Sequence, residues 1–174
     1  MGFSVSMSTV IRKPELTDGQ LIYDLARISK PLDLNSLYSY LLISTHFNQT
    51  SAVAENEQDL IGYVSGYLHP HQDDTLFIWQ IAVNPNMRGR GLATLMLQNI
   101  LQREELITIK FIEATITPSN KKSRKLFQRL AEQLKADYKE SPFLDKELFG
   151  ESNHEEEKLL RIGPINHSPK LTMI

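Results

Sequence analysis

The sequence of 174 residues contains no cysteine. This absence excludes disulfides, zinc–thiolate sites and a covalent acyl-cysteine intermediate. No apolar run approaches the roughly 18 residues that would span a bilayer. The first residues, "MGFSVSMSTV", also lack the basic-then-apolar layout of a secretion signal. We therefore expect a cytoplasmic protein that does not associate with a membrane.

The sequence also lacks a strong excess of charge of either sign. It has 19 Lys and Arg against 21 Asp and Glu, a formal net charge of −2. This balance gives no overall electrostatic attraction to nucleic acid or to an anionic membrane. The length suits one sizeable core rather than two independent domains. We predict a single domain over residues 9–164, an N-terminal extension at 1–8 and a flexible tail at 165–174.

Hydrophobic periodicity predicts two consecutive helices after a short strand at residues 9–13. Apolar residues on one helical face support both helices: Leu21, Ile22, Leu25 and Ile28 in the first, and Leu34, Leu37, Tyr38, Leu41 and Leu42 in the second. Thr17 and Gln20 stand at capping-box spacing before the first helix. Asp33 or Asn35 is available as N-cap of the second.

Three stretches rich in Val, Ile, Tyr, Phe and Trp follow, at residues 51–54, 60–68 and 75–83, and predict an antiparallel strand meander. A third helix opens at "RGRGLA", and "ITIKFIEATI" (107–116) predicts a buried strand. Thr117 as N-cap and Pro118 at the first helical position mark a fourth helix. The predicted order is β-α-α-β-β-β-α-β-α. Beyond Ala136 the pattern weakens at Ser141-Pro142, and "EEEKLLRI" (155–162) is a candidate closing strand.

The segment "NPNMRGRGLATLM" (84–96) places two glycines between a strand and a helix. A helix start supplies unpaired N–H groups and a positive dipole end, which together hold a phosphate. Gly89 and Gly91 remove side chains that would block the approach. The spacing fits a dinucleotide fingerprint poorly, because Thr94 stands at the third glycine position and no β-α-β alternation surrounds it. A Walker loop fits worse, since no Gly-Lys-Ser/Thr closes it.

The pattern Arg88-x-x-Gly91-x-Ala93, after the strand end "WQIAVNP" and before Asn120, resembles motif A of the GNAT family of N-acetyltransferases. The resemblance implies an α/β (α+β) fold, with a mixed, mostly antiparallel sheet whose central strands splay apart between flanking helices. It also implies acetyl-CoA as co-substrate and no metal. The cofactor-binding residues that it implies are Ile81, Val83, Arg88, Gly89, Gly91, Leu92, Ala93 and Asn120. For Asn120, helix capping is the alternative role.

Within this family, "PLDLNSLYSYLLISTHF", "LFIWQIAV", "LHPHQDD" and "HEEEKLLRIGP" resemble the diaminobutyrate acetyltransferases of ectoine biosynthesis, a response to osmotic stress. This resemblance implies acetylation of the γ-amino group of L-2,4-diaminobutyrate by direct attack of the amine on the thioester. It also implies a cytoplasmic homodimer. The alternatives are another small diamine or polyamine as substrate, or a non-catalytic acetyl-CoA-binding module. Nucleic-acid binding through "RGRG" and "KKSRK" would require a net-negative chain to use two short basic patches.

Acetyl transfer needs a fixed donor for the thioester carbonyl and a neutral amine. In this family the backbone N–H of Ile81 would be that donor. Glu113, which shares a strand face with Thr115, is a candidate base, directly or through water; the alternative is an edge carboxylate in solvent. Many family members carry a general-acid tyrosine seven residues after the motif asparagine. This sequence has Phe127 there, so no general acid is assigned.

The candidate substrate-binding residues are Asp33, Tyr38, Trp79, Thr115 and His154. Asp33 would bind an ammonium group or cap the second helix. Tyr38 and Trp79 would line the acceptor channel or lie in the core. His154 would contact substrate at the start of the closing segment or stand exposed.

Overall fold

The computed structural model describes residues 9–57 and 59–166. The predicted extension at 1–8, and residues 167–174 of the predicted tail, lie outside the described residues. Within the described ranges no helix is long and apolar enough to cross a membrane.

The predicted order of the elements is confirmed, and two strands follow it, of which the second confirms the candidate closing strand within residues 155–162. In the described residues these elements are β1 (Thr9–Arg12), α1 (Gly19–Ile28), α2 (Leu37–His46), β2 (Ala52–Asn56), β3 (Asp59–Leu68), β4 (Thr75–Val83), α3 (Leu92–Leu101), β5 (Phe111–Ile116), α4 (Lys121–Leu134), β6 (Tyr138–Leu144) and β7 (Glu157–Ile162). Short 3₁₀ turns join several of them.

The strands form one sheet in the order β1-β2-β3-β4-β5-β7-β6. β2 pairs antiparallel with β1 and β3, and β7 pairs antiparallel with β5 and β6. β4 pairs parallel with β5, Thr75–Ile78 lying beside Phe111–Ala114. The prediction of a mixed, mostly antiparallel sheet with helices is therefore confirmed. The parallel register stops at Ile78, although β4 continues to Val83.

The chain divides into two compact units. The first consists of the residues up to Gly66 together with Gln80–Leu101, and the second of Tyr67–Trp79 with the residues from Gln102 onward. The single domain over 9–164 stays a prediction.

The first unit has a core built around Tyr40, which is fully buried. Its ring makes edge contacts with Tyr23 and Tyr63, at centroid distances of 6.1 and 6.0 Å. The other buried members of this cluster are Ile22, Leu25, Ala26, Ile43, Val53 and Ala82. α3 packs closely on β3, because a Cβ at Gly62 would lie 2.9 Å from Met96 Cε. Close packing therefore fixes the helix that follows the glycine loop.

The second unit buries apolar residues from its strands and from α4: Leu76, Ile78, Ile112, Ala114, Ile116, Phe127, Leu130, Leu160 and Ile162. β6 was not predicted, because Pro142 interrupts its pattern. Its register shifts between Pro142 and Leu144, and it lies at the sheet edge beside β7. An edge strand tolerates proline because the missing N–H need not pair. The predicted strand at 107–116 is too long, since β5 begins at Phe111.

Three predicted helix starts are wrong. Before α1 the reciprocal capping bonds join Glu15 and Asp18 instead of Thr17 and Gln20. The N-cap of α2 is Ser36, which accepts from Ser39 N–H at 3.3 Å, so neither Asp33 nor Asn35 caps it. The N-cap of α4 is Asn120 instead of Thr117, so Pro118 precedes the helix.

The predicted apolar face of α2 is also wrong. Its buried residues are Tyr40, Ile43 and Ser44, whereas Leu37 and Tyr38 are exposed. Leu34 lies before the helix and is exposed as well. In α1 the predicted face is half right, because Ile22 and Leu25 are buried while Leu21 and Ile28 are exposed.

Candidate active site

The glycine loop in the first unit has a backbone that favours glycine. Gly89 and Gly91 both have φ of +76°, in the left-handed region. A Cβ built on either would meet no described atom within 4 Å. The loop from Arg88 to Gly91 is exposed, whereas Leu92 at the head of α3 is buried. The glycines thus shape an open turn rather than relieve a crowded one.

The head of α3 presents backbone donors at this turn. The first helical hydrogen bond runs from Leu95 N–H to Gly91 C=O, at 3.1 Å. The N–H groups of Leu92, Ala93 and Thr94 lie outside the helical ladder, as expected for a first turn. With the positive end of the helix dipole they provide the features of an anion site.

The strand leading into the loop is fixed at both sides of Asn84. Asn84 N–H donates to Ile61 C=O at 2.9 Å, and its side chain accepts from Asn86 N–H at 3.0 Å. Arg88 Nε donates to Val83 C=O at 3.1 Å. The Arg88 side chain therefore bends back along the end of β4, beside Val83.

From Leu76 to Val83, β4 alternates between a buried and a more accessible side. Leu76, Ile78, Gln80 and Ala82 are buried. Trp79 is 48% exposed, and Ile81 and Val83 are partly buried. The alternative that Trp79 lies in the core is therefore wrong, and the same holds for Tyr38, which is 69% exposed.

Asp33 lies in the irregular segment between α1 and α2, in the first unit. The residue is exposed, and its carbonyl accepts a hydrogen bond from Gln80 Nε2 at 2.8 Å. Asp33 and Tyr38 thus flank the start of α2. Sequence reasoning missed Gln80, although a glutamine within the apolar "LFIWQIAV" was a visible signal.

Glu113 in the second unit is a buried ion-pair partner. It is 3% exposed, and Arg161 of the neighbouring β7 contacts its carboxylate. Arg161 also donates to Gln72 Oε1 at 3.0 Å and lies 3.9 Å from the centre of the Phe111 ring. The alternative of an edge carboxylate in solvent is wrong, because β5 is an inner strand. Burial, and then the charge of Glu113, raise the pKa of Tyr67.

Two further candidates lie near the end of β5 in the chain. Thr115 is half-buried, two residues after Glu113 on the same strand. Asn120 caps α4 through Oδ1, which accepts from Ser123 N–H at 3.1 Å. The capping role is thus present, and a cofactor role would fall to the amide NH₂. Phe127 is 3% exposed and belongs to the core.

His154 belongs to the segment before β7 in the second unit. Its ring stacks on Phe149 at a centroid distance of 4.0 Å. Nδ1 lies 2.6 Å from Glu155 C=O, and Nε2 lies 3.6 Å from Glu157 Oε1. The alternative of a lone exposed histidine is therefore wrong. The Glu155 carboxylate also accepts from Ser119 N–H at 3.2 Å, which ties this segment to the turn before Asn120.

Comparisons with known proteins show the family to which the chain belongs. Residues 20–131 match the sequence profile of the Acetyltransferase (GNAT) family. The L-2,4-diaminobutyric acid acetyltransferase of Bordetella parapertussis is 44% identical over 160 residues, covering 91% of this chain and 86% of the relative. The enzyme of the same name from Oceanobacillus iheyensis is 43% identical over 167 residues, covering 94% and 92%.

Among solved structures, the diaminobutyrate acetyltransferase of Paenibacillus lautus, in complex with its substrate L-2,4-diaminobutyric acid and coenzyme A, is 36% identical. The match has a TM-score of 0.89 and covers 95% of this chain and 100% of that one. The ribosomal-protein-S18-alanine N-acetyltransferase of Escherichia coli, at 14% identity and a TM-score of 0.69, shares the fold. By profile and by full-length relatives, the chain belongs to the GNAT family of acetyltransferases.

Proposed function

We propose that this chain is an acetyl-CoA-dependent enzyme that acetylates the γ-amino group of L-2,4-diaminobutyrate to N4-acetyl-2,4-diaminobutyrate. The observation that carries the proposal is the likeness, over nearly the whole of both chains, to the Paenibacillus lautus enzyme solved with that substrate and coenzyme A. The route is direct attack of the amine nitrogen on the thioester carbon. The carbon–sulfur bond breaks, the amine loses a proton, and coenzyme A leaves as the thiolate or thiol.

The open turn at Gly89 and Gly91 supports binding of the coenzyme A diphosphate. Amide N–H groups of Leu92 and Ala93 would hold phosphate oxygens, helped by the dipole of α3. The Arg88 guanidinium would add a charge-assisted hydrogen bond. Backbone groups of Ile81 and Val83 would hold the pantetheine arm, which Asn120 would contact through its amide NH₂.

The thioester carbonyl needs a donor that is already in place when charge develops on its oxygen. We assign that role to the backbone N–H of Ile81. The proposed base is Glu113, directly or through water. Because Arg161 holds its carboxylate, the amine proton would have to reach an oxygen beside a guanidinium.

Diaminobutyrate offers a carboxylate, an α-ammonium group and the reacting amine. Asp33, which is exposed and lies just before α2, is the proposed partner of the ammonium group. Tyr38 and Trp79 would cover the short aliphatic chain, and their exposure leaves them accessible to it. Thr115 and His154 would supply polar contacts.

The proposal includes a homodimer acting in the cytoplasm, where acetyl-CoA is available. Exposed apolar side chains on α1 and α2, including Leu21, Ile28 and Leu37, support a self-association surface. Light scattering coupled to gel filtration tests it, and a monomer mass at micromolar concentration would contradict it.

The decisive experiment measures thiol release from acetyl-CoA by the purified protein with diaminobutyrate, ornithine, lysine or spermidine. Release that depends on diaminobutyrate, with the product acetylated at N4 by NMR, supports the proposal. Faster release with spermidine would indicate a polyamine acetyltransferase. Coenzyme A binding without release from any amine would indicate a non-catalytic binding module.

A further inference from the structure

Gln80 is a polar side chain on the otherwise apolar buried side of β4. Its neighbours on that side are Leu76, Ile78 and Ala82, and Gln80 itself is 6% exposed. A buried amide is costly unless its donor and acceptor are paired. Gln80 finds its partners far away in the sequence, in the segment that joins α1 to α2 and in α2 itself.

Gln80 and its partners form a short chain of hydrogen bonds within the first unit. Gln80 Nε2 donates to Asp33 C=O at 2.8 Å. Gln80 Oε1 accepts from the Tyr40 hydroxyl at 3.3 Å. The same hydroxyl accepts from Asn35 N–H at 3.2 Å. Two side chains thus hold the backbone of Asp33 and Asn35 at two points.

The segment that Gln80 and Tyr40 hold lacks the regular backbone hydrogen bonds of a helix or strand. Residues 33–36 lie outside any helix or strand, and Ser36 then caps α2. Backbone groups in such a segment depend on side chains or solvent for their hydrogen bonds. The Tyr40 hydroxyl is held in a fixed position, because the Tyr40 side chain is fully buried between the rings of Tyr23 and Tyr63.

We infer that Gln80 and Tyr40 are positioning residues for substrate selection: they fix the backbone of residues 33–36 and thereby set where the Asp33 carboxylate stands. This inference rests on the proposed function, in which Asp33 binds the ammonium group of diaminobutyrate. Because Gln80 adjoins Trp79 and Ile81 in β4, one strand carries both the proposed acceptor-side residues and the side chain that aligns Asp33. A carboxylate held in this way discriminates between diamino acids that differ by one methylene.

The test compares Gln80→Leu, which removes both bonds at similar size, with Gln80→Glu and Tyr40→Phe. Gln80→Glu keeps an oxygen that can accept from the Tyr40 hydroxyl, but it removes the N–H that donates to Asp33 C=O. In Gln80→Leu we expect KM for diaminobutyrate to rise about tenfold, equivalent to about 1.4 kcal/mol. KM for acetyl-CoA should stay within about twofold, and the preference for diaminobutyrate over ornithine should fall, because the latter is one methylene longer.

Thr50→Val is the matched control. Thr50 is buried in the same unit, and its hydroxyl donates to Gly66 C=O at 2.6 Å. This variant also loses buried side chain-to-backbone hydrogen bonds, but the acceptors are the carbonyls of Phe47 and Gly66 and lie outside residues 33–36. It should lose stability without a change in KM or in preference. If a general loss of stability were the cause, KM and preference would change in Thr50→Val as they do in the Gln80 variants.

Hydrogen exchange gives a readout that does not depend on the substrate. Amides of residues 33–38 should exchange faster in Gln80→Leu than in the wild type or in Thr50→Val. If Gln80→Leu does not fold, Gln80→Glu and Tyr40→Phe decide by the same measurements. Unchanged exchange, or unchanged KM and preference in folded variants, overturns the inference. A wild type inactive on diaminobutyrate, with exchange altered as expected, overturns the proposed function and leaves the positioning of the segment standing.

Discussion

Replacing Gly91 by alanine should lower both the stability of the protein and its affinity for coenzyme A, and the two effects can be measured separately. Gly91 has φ of +76°, where an L-residue with a side chain costs about 1–2 kcal/mol. The added Cβ meets no described atom within 4 Å, so no clash adds to this cost. We therefore expect the free energy of unfolding to fall by about 1–2 kcal/mol, measured by urea denaturation.

Coenzyme A affinity should fall independently of that loss. In the proposed site the diphosphate approaches the N–H groups at the head of α3 through the open space beside the turn. A methyl group there, together with a shifted amide direction, removes part of that approach. We expect the Kd for coenzyme A, measured by calorimetry, to rise by at least about tenfold, equivalent to about 1.4 kcal/mol.

Gly150→Ala is the matched control for Gly91→Ala. Gly150 also has a positive φ, +67°, and an added Cβ would meet no described atom there either. It lies outside the loop, in the second unit. The control should lose stability to a similar or greater extent while its Kd for coenzyme A stays within about twofold. Equal Kd values for the two variants would show that the loop is an ordinary turn and refute the diphosphate assignment.

Three further variants test individual features. Ser36→Ala removes the N-cap of α2 and should lower the free energy of unfolding by about 1 kcal/mol in urea denaturation; no loss would contradict that assignment. Burial raises the pKa of Asp18, but hydrogen bonds from Arg12 and from Glu15 N–H outweigh it, and the pKa is lowered overall. Its stabilising contribution is therefore complete above the unfolded pKa of about 3.9 and is lost as pH falls through the lower folded value; Asp18→Asn should flatten that acid-side decline in denaturation curves. Phe127→Tyr places a hydroxyl in a buried site and should cost about 1–3 kcal/mol without raising kcat, whereas a sharply higher kcat would mean that a general-acid role is vacant there.

Periodicity and turn chemistry predicted the order of the elements and the glycine loop, because both are local properties of the chain. β4 was predicted at its observed bounds, and α3 opens where the glycines indicated. A strand rich in β-branched and aromatic residues, and a helix that begins after two glycines, need no distant partner to be recognised in the sequence.

The wrong predictions concern residues whose position is determined by tertiary contacts. Asp18 rather than Gln20 closes the capping bonds before α1, and Arg12 of β1 holds the same carboxylate at 2.7 Å. The apolar pattern of α2 is nearly continuous, so periodicity could not show that Tyr40 rather than Tyr38 faces the core. Glu113 could not be recognised as buried, because its partner Arg161 lies 48 residues away in the sequence.

The ion pair between Glu113 and Arg161 determines how a base role can be tested. Glu113→Gln removes both a proton acceptor and an ion-pair partner, so loss of activity alone is ambiguous. Arg161→Met breaks the same pair but keeps the carboxylate, and leaving that charge buried should cost about 3–5 kcal/mol of stability.

If Glu113 is the base, kcat falls by about 10²-fold or more in Glu113→Gln. In Arg161→Met it should fall far less, provided that both are assayed at a temperature where circular dichroism shows them folded. The carboxylate then acts in catalysis, and the guanidinium only holds it. Equal losses of kcat in the two variants would assign the effect to the ion pair and remove Glu113 from the chemistry.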